Sequence, residues 1–177
     1  MKEVVFESEN IIYVKISESL IEDYLTMVND IDHVARFIGK RNTPYSLEEE
    51  LDFVRNKIRE QGPIYSMLER ETEEFIGNIE FMDIEDGCGV LGIALTFEKQ
   101  GKHYGTEAIH RMLQYGCSDL GLKRIILRVY KENARAMHVY EKCGFRKYDE
   151  TEDEIFDGDK QREICPMKGI SRIFIHF

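Results

Sequence analysis

The 177-residue chain has no long apolar run and no paired cysteine motif. Because no stretch reaches about 18 consecutive apolar residues, a membrane-spanning helix is not expected. The first residues, Met1 to Glu7, lack the apolar core of a secretory signal. Scattered cysteines without metal-type spacing favour reduced thiols in a cytoplasmic protein over a disulfide or zinc site. These cysteines are Cys88, Cys117, Cys143 and Cys165.

Positive charge is also in short supply, since the formal net charge at pH 7 is −10. A basic face able to bind nucleic acid is therefore not expected. The acidic balance suits a cationic substrate, although it does not identify one. The chain shows no linker, repeat or low-complexity tract, and its length fits one domain over residues 1–177.

The chain does contain alternating strand and helix patterns, which predict an α/β fold with a mixed sheet. Ser46 with Glu49 has the spacing of a capping box at the start of a helix. The apolar stripe predicted for that helix consists of Leu47, Leu51, Val54 and Ile58. Predicted strands cover residues 11–16, 64–69, 75–84, 90–97 and 124–129, and a last hairpin turns at Asp157-Gly158.

The most informative segment runs from Gln100 to Phe145. Its first part, the Gln100–Thr106 loop, follows a predicted strand and opens a helical pattern. Unpaired backbone N–H groups and the helix dipole favour an anion at such a place. The loop is interpreted as a phosphate-binding loop, and an ordinary helix-entry loop is the alternative.

Two motifs in this segment resemble those of the GCN5-related N-acetyltransferase (GNAT) family. The family's Gln/Arg-x-x-Gly-x-Gly/Ala signature corresponds to Gln100, His103 and Gly105. Its second signature corresponds to Asn133 at a helix start, Tyr140 seven residues later, and then Gly144-Phe145. The helices and strands predicted over residues 11–167 follow one another in the order found in the family. The resemblance implies a mixed, mostly antiparallel central sheet flanked by helices, which is the acyl-CoA acyltransferase fold.

The resemblance also implies where acetyl-CoA binds. Its pantetheine arm would pair with the backbone of Ile93, Ala94 and Leu95, while Asn133, Ala136 and Tyr140 would contact it from the short helix. Its pyrophosphate would lie on the backbone amides of Gln100, Gly101, Lys102, His103, Tyr104, Gly105 and Thr106. His103 replaces a family glycine, so either its φ stays negative or the coenzyme binds more weakly.

The catalytic roles follow from the same resemblance. Tyr140 is expected to act as a general acid on the leaving thiolate, with packing in the core as the alternative. Backbone N–H groups near Leu95 are expected to hold the oxyanion. Many relatives carry a glutamate where this chain has Val90, so Glu80 is favoured as the proton acceptor, with a solvated strand residue as the alternative. No metal and no covalent enzyme intermediate are expected.

Three histidines are read as surface or core residues because they lack partners at catalytic spacing. They are His33, His110 and His138.

Within the family, the chain looks most like the ribosomal-protein N-terminal and spermidine acetyltransferases. The expected activity is therefore acetyl-CoA-dependent N-acetylation of a small cationic, polyamine-like amine. A protein-modifying acetyltransferase and a non-catalytic acyl-CoA-binding protein are the alternatives.

The acceptor is expected to be chosen by residues 30–45 and 149–159. Four acidic residues precede the last turn: Glu152, Asp153, Glu154 and Asp157. They either face solvent on a hairpin or form a negatively charged surface that attracts the amine. The aromatic and apolar tail, residues 171–177, packs on the body or on a second copy, which leaves a homodimer open.

Overall fold

The computed structural model describes residues 2–38, 43–147, 154–157 and 160–170. Its strands are β1 (Val4–Glu7), β2 (Ile11–Lys15), β3 (Ile64–Glu69), β4 (Phe75–Glu85), β5 (Cys88–Leu95), β6 (Arg124–Tyr130), β7 (Arg146–Lys147), β8 (Glu154–Asp157) and β9 (Lys160–Ile170). Its α-helices are α1 (Ile21–Val28), α2 (Arg36–Ile38), α3 (Leu47–Glu60), α4 (Tyr104–Ser118) and α5 (Ala134–Lys142).

The strands form one sheet in the order β1-β2-β3-β4-β5-β6-β9-β7, and β8 pairs with β9. Neighbouring strands run antiparallel except β5 and β6, which are parallel. The predicted mixed, mostly antiparallel sheet flanked by helices is confirmed.

Strands β5 and β6 separate partway along their length. Their last described pair is Val90 with Ile126. Beyond it, β5 stays paired with β4 as far as Leu95, and β6 stays paired with β9 as far as Tyr130. The part of the chain that the structure describes shows no pairing between residues 91–95 and residues 127–130. We call this gap the wedge; it leaves backbone polar groups on two facing strand edges.

Helices cover both faces of the sheet. On one face, Ile79 and Leu91 pack with Ile109 and Met112 of α4. On the opposite face, a second cluster contains Tyr24 of α1, Val54 of α3 and residues of β2 and β3. Because side chains alternate along a strand, each face of β4 and β5 meets a different helical layer.

Gly77 lets β4 lie directly against the end of β5. Its φ is +156°, and a Cβ atom there would lie 2.0 Å from the carbonyl oxygen of Ala94. No side chain fits at such a distance. The absence of a side chain at Gly77 therefore sets the position of Ala94 and Leu95 at the edge of the wedge.

The predicted capping box of α3 is confirmed. The Glu49 N–H donates to Ser46 Oγ at 3.2 Å, and the Ser46 N–H donates to Glu49 Oε2 at 2.7 Å. The predicted apolar stripe of α3 is partly wrong, because Leu47 and Ile58 are 50% and 43% exposed. Val54 is buried as expected, and the residue one turn before it that shares the buried side is Glu50.

Other differences concern element limits. No pattern in the sequence indicates β1, and the strand expected over residues 90–97 begins at Cys88 and ends at Leu95. The last hairpin is confirmed by the pairing of Asp157 with Lys160, whereas its turn lies outside the described residues. In the described part of the chain, no helix combines the length and apolar character needed to cross a bilayer.

Candidate functional site

A cavity of roughly 1140 Å³ opens at the wedge and contains most of the residues singled out in the sequence. Both wedge strands, the start of α4 and the start of α5 line one side. Helix α3, the segment after α1 and the centre of β4 line the other. The predicted residues in its wall are Glu80, Ile93, Ala94, Leu95, Gln100, Gly101, His103, Gly105, Thr106, Asn133, Ala136 and Tyr140. Lys102 and Tyr104 are not in the wall.

The Gln100–Thr106 loop presents free backbone donors to this cavity. The first helical bond of α4 runs from the Glu107 N–H to the His103 carbonyl oxygen at 3.1 Å. Within the described residues, no backbone acceptor serves the N–H groups of residues 101–106, and no side chain caps α4. Several amides and a helix N-terminus at one place form an anion-binding arrangement.

His103 adopts a left-handed backbone conformation, with φ +68° and ψ −4°. The alternative in which its φ stays negative is therefore wrong. Residues with a Cβ occupy this region at a cost of about 1–2 kcal/mol, which glycine avoids. His103 thus keeps the backbone shape that the family glycine favours, and its ring is part of the cavity wall.

We expect His103→Gly to raise the free energy of unfolding by up to about 1 kcal/mol, because it removes this strain. The affinity for acetyl-CoA should stay equal or increase, since backbone then approaches phosphate without a side chain. Calorimetry and urea unfolding measure the two effects.

Gln61→Gly is the matched control for that substitution, because Gln61 also has positive φ (52°) but ends α3 outside the cavity wall. It should relieve strain without changing coenzyme binding. A clear loss of acetyl-CoA affinity in His103→Gly would show instead that the imidazole itself contacts the coenzyme.

Gln100 links the end of β5 to α5. Its Nε2 donates to the Leu95 carbonyl oxygen at 3.2 Å, and its Oε1 accepts from Arg135 Nη1 at 2.9 Å. Arg135 was not singled out in the sequence. It connects the second motif to Gln100 of the first, and it lines the cavity. It brings a guanidinium group to the mouth of the anion-binding loop.

The other side of the loop is held by an ionic cluster. The buried Lys99 ammonium donates to Glu69 at 2.9 Å and to Glu74 at 2.6 Å, and the Tyr104 hydroxyl donates to Glu69. Hydrogen bonds from Thr72, Tyr104 and Lys99 lower the pKa of Glu69 to about 2. Tyr104, which is not in the cavity wall, thus links the first turn of α4 to Glu69 at the end of β3.

Tyr140 lies on α5, whose start is capped by Asn133. The Asn133 Oδ1 accepts from the Ala136 N–H at 3.2 Å. Tyr140 is buried, lines the cavity, and packs edge-on against Phe145 at 6.1 Å between ring centroids. Burial, and to a smaller extent Cys143, raises the pKa of Tyr140 to about 12. Its hydroxyl has no hydrogen-bond partner among the described residues, so it remains a protonated donor.

Glu80 lies on β4, opposite Gly92 of β5. Its Oε2 accepts from Lys57 Nζ at 3.1 Å, so the carboxylate is held from α3. The sequence did not indicate this ion pair, because the two residues come from different elements. Glu80 remains in the cavity wall despite it.

His33 is not without a partner, which corrects one sequence expectation. Its Nδ1 lies 3.0 Å from Asp30 Oδ1, and its ring stacks on Phe97 at 3.8 Å. All three side chains sit around the end of β5, and His33 and Phe97 line the cavity.

Two further polar residues of the cavity wall were missed in the sequence. Glu50 of α3 is 5% exposed, and Asn78 of β4 has a buried, unbonded Oδ1. Glu50 carried a detectable signal, since it precedes Val54 by one helical turn. Asn78 carried none, because a strand position does not reveal which long-range groups surround it.

The acidic group before the last turn lies partly outside the described residues. Glu152 and Asp153 lie outside the described residues, as does the tail 171–177. Glu154 and Asp157 belong to β8, whose backbone alone is described.

Comparisons with known proteins identify the family and agree with the fold. Residues 10–146 match the family model described as "Acetyltransferase (GNAT) domain". A spermidine N(1)-acetyltransferase of Vibrio cholerae serotype O1 is 30% identical over 127 residues, which cover 70% of this chain and 73% of that protein. Its counterpart in Escherichia coli strain K12 is 31% identical over 127 residues, covering 70% and 68%.

Solved structures show the same fold. An acetyltransferase of the GNAT family from Bacillus anthracis superposes with a TM-score of 0.84 at 20% identity, covering 94% of this chain and 98% of that one. Spermidine N-acetyltransferase from Vibrio cholerae, in complex with CoA and spermine, superposes with a TM-score of 0.79 at 21% identity, covering 96% and 100%.

Proposed function

This chain belongs to the GNAT family and is an N-acetyltransferase, and on that premise we propose that it transfers the acetyl group of acetyl-CoA to a small cationic amine. The observation that carries the proposal is the cavity, whose two sides differ in chemistry. The wedge side offers backbone donors and Tyr140, whereas the α3 side offers carboxyl groups. Coenzyme and amine would enter from these opposite sides.

Acetyl-CoA would complete the interrupted sheet. Its pyrophosphate would lie on the amides of the Gln100–Thr106 loop, with Arg135 adding positive charge. Its pantetheine amides would pair with the free edge at Ile93 and Leu95, as in strand addition. The thioester would then lie deeper in the wedge, within the cavity that Tyr140 also lines.

The transfer would be a direct attack. A neutral amine nitrogen attacks the thioester carbonyl carbon, the C–S bond breaks, and CoA leaves as its thiol. The amine loses one proton, for which Glu80 is the acceptor directly or through water. The sulfur gains one, which Tyr140 donates. Every group in this scheme lies in one chain, so the activity is proposed for a single domain.

The acceptor assignment depends on the charges of the α3 side. The acidic residues in the wall there are Asp32, Glu49, Glu50, Glu80 and Asp83. A cleft lined by negative charges raises the local concentration of a cationic substrate. The Vibrio cholerae structure with CoA and spermine, together with the curated spermidine acetyltransferases, supports a polyamine-like amine.

An amine panel tests the proposal. The protein with acetyl-CoA should release thiol in the presence of di- and polyamines faster than with neutral-tailed amines of equal length. Their kcat/KM should fall as salt rises, because surface charges are screened. Glu80→Gln should lower kcat/KM further, whereas Glu85→Gln, on the same strand but outside the cavity wall, should not.

The outcomes separate the alternatives. Preference for peptides over free amines would favour a protein-modifying enzyme. Tight acetyl-CoA binding with no thiol release for any acceptor would favour a non-catalytic acyl-CoA-binding protein.

A further inference from the structure

Two polar side chains of the acceptor side have no partner within the described residues. Glu50 is 5% exposed, and neither of its carboxylate oxygens takes part in a hydrogen bond or ion pair there. Asn78 makes no side-chain hydrogen bond, and its Oδ1 is the one buried side-chain N or O atom left unbonded in that part of the chain. Both residues line the cavity.

The structure places these two groups around one tyrosine. Glu50 is close enough to Tyr24 for its charge to contribute to the raised pKa of that phenol. The Tyr24 hydroxyl is hydrogen-bonded to Ser66 Oγ at 2.6 Å, and Ser66 lies directly opposite Asn78 in the sheet. The Tyr24 hydroxyl also accepts from the Ser17 N–H at 3.3 Å, and within the described residues it makes no hydrogen bond to Glu50 or to Asn78.

Leaving such groups unpaired is costly. A buried carboxylate or amide without a hydrogen bond loses its hydration and gains nothing in return, so buried polar groups are normally bonded. Burial raises the pKa of the Glu50 carboxyl, because the buried site disfavours the charged form. Two nearby carboxylates differ from Glu50, because Glu80 in the cavity wall pairs with Lys57, and Glu69, outside the wall, pairs with Lys99.

The free groups define the chemistry of what they bind. A carboxylate and an amide oxygen both accept hydrogen bonds, and the carboxylate adds one negative charge. Their complement is a cation with several N–H donors, which is an ammonium group. Glu80, two residues after Asn78 on β4, faces the same side of the sheet.

We propose that Glu50 and Asn78 bind a second amino group of the acceptor, its charge on Glu50 and one N–H on Asn78 Oδ1, so that the substrate is a diamine or polyamine. The proposal depends on the proposed function. It assigns recognition of the non-reacting ammonium to these two residues, and leaves Glu80 and Tyr140 at the reacting end.

Substrate pairs test the assignment. The ratio of kcat/KM for 1,4-diaminobutane to that for butylamine should fall about 10–100-fold in Glu50→Gln, the value of a charged hydrogen bond. Asn78→Leu should lower the same ratio by up to about tenfold. Glu48→Gln, which removes the same charge from an exposed position of the same turn, should keep the wild-type ratio.

Equal losses on the two amines, or an unchanged ratio in Glu50→Gln, would overturn the assignment. Binding without turnover separates it from the proposed function. Calorimetry with 1,4-diaminobutane and CoA should show weaker binding in Glu50→Gln. If the wild type acetylates no amine but binds the diamine through Glu50, the proposed function fails and the assignment stands. If it does not bind the diamine, the assignment fails.

The pH dependence of the melting temperature tests whether the Glu50 carboxylate lacks a partner. A carboxyl whose pKa is raised by folding destabilises the protein above its unfolded pKa, increasingly up to the folded pKa, and has no such effect below both. The melting temperature of Glu50→Gln should therefore exceed that of the wild type at pH 8, and the difference should vanish towards pH 4. Equal melting temperatures at pH 8 would mean that the charge is compensated, which contradicts the premise.

Discussion

Replacing Tyr140 by phenylalanine is expected to lower kcat about 10²–10⁴-fold, which is the usual contribution of one general acid. The substitution removes only the hydroxyl of this cavity-lining residue, a group that has no hydrogen-bond partner in the described part of the chain. Acetyl-CoA affinity should change little, because the backbone of α5 and its Asn133 cap stay in place. Steady-state kinetics at saturating substrates, together with calorimetry, measure the two quantities.

The raised pKa of about 12 bears on how this acid works. It means that Tyr140 keeps its proton throughout the neutral range. The burial that raises the phenol pKa also disfavours a free thiolate, so the sulfur becomes a better proton acceptor as the C–S bond breaks.

A tyrosine outside the cavity wall supplies the control for Tyr140→Phe. Tyr65 donates its hydroxyl to Tyr115 at 2.9 Å and is not in the cavity wall. Tyr65→Phe should reduce stability and leave kcat unchanged. Wild-type kcat in Tyr140→Phe at saturating substrates would exclude the general-acid role.

Gly77→Ala is expected to destabilise the fold by about 3 kcal/mol, the upper end of the usual cost of overpacking. The new Cβ would lie 2.0 Å from the Ala94 carbonyl oxygen, and backbone atoms cannot move aside as a flexible side chain does. Strand β5 would have to shift, so acetyl-CoA affinity should fall as well. Urea unfolding and calorimetry give the two values.

Gly62→Ala is the control for this substitution, because a Cβ at Gly62 would meet nothing within 4 Å. Its effect should stay within about 0.5 kcal/mol, as for most surface changes. A similarly small effect for Gly77→Ala would mean that β4 and β5 can separate without cost, and that their contact does not position the edge of the wedge.

Local signals explain what the sequence predicted well. The Ser46–Glu49 capping box and the Asn133 cap depend on residues three positions apart, so spacing alone reveals them. The Gln100–Thr106 loop is also contiguous, and its context between a strand and a helix was visible. The wedge itself had no such signal, and only the family resemblance implied an exposed edge at Ile93–Leu95.

Contacts between distant elements explain what the sequence missed. Lys57 and Glu80 are 23 positions apart, and only the packing of α3 on the sheet brings them together. Glu50 has a local signal in its spacing from Val54, but as the third of three consecutive glutamates it resembles a solvated residue rather than a buried one. The Asp30–His33 pair differs from both, because its three-residue spacing is that of a helical contact and is visible in the sequence.

The Lys57–Glu80 ion pair makes acceptor binding at Glu80 an exchange of one ammonium for another. An arriving amine either shares the carboxylate with Lys57 or displaces it, and in both cases much of the attraction is already satisfied internally. Glu80 alone therefore discriminates weakly between a cation and solvent. Selectivity for charged acceptors then has to come from a carboxylate that has no resident counterion, and in the described cavity wall Glu50 is the buried carboxylate of this kind, since Asp32 and Asp83 are exposed.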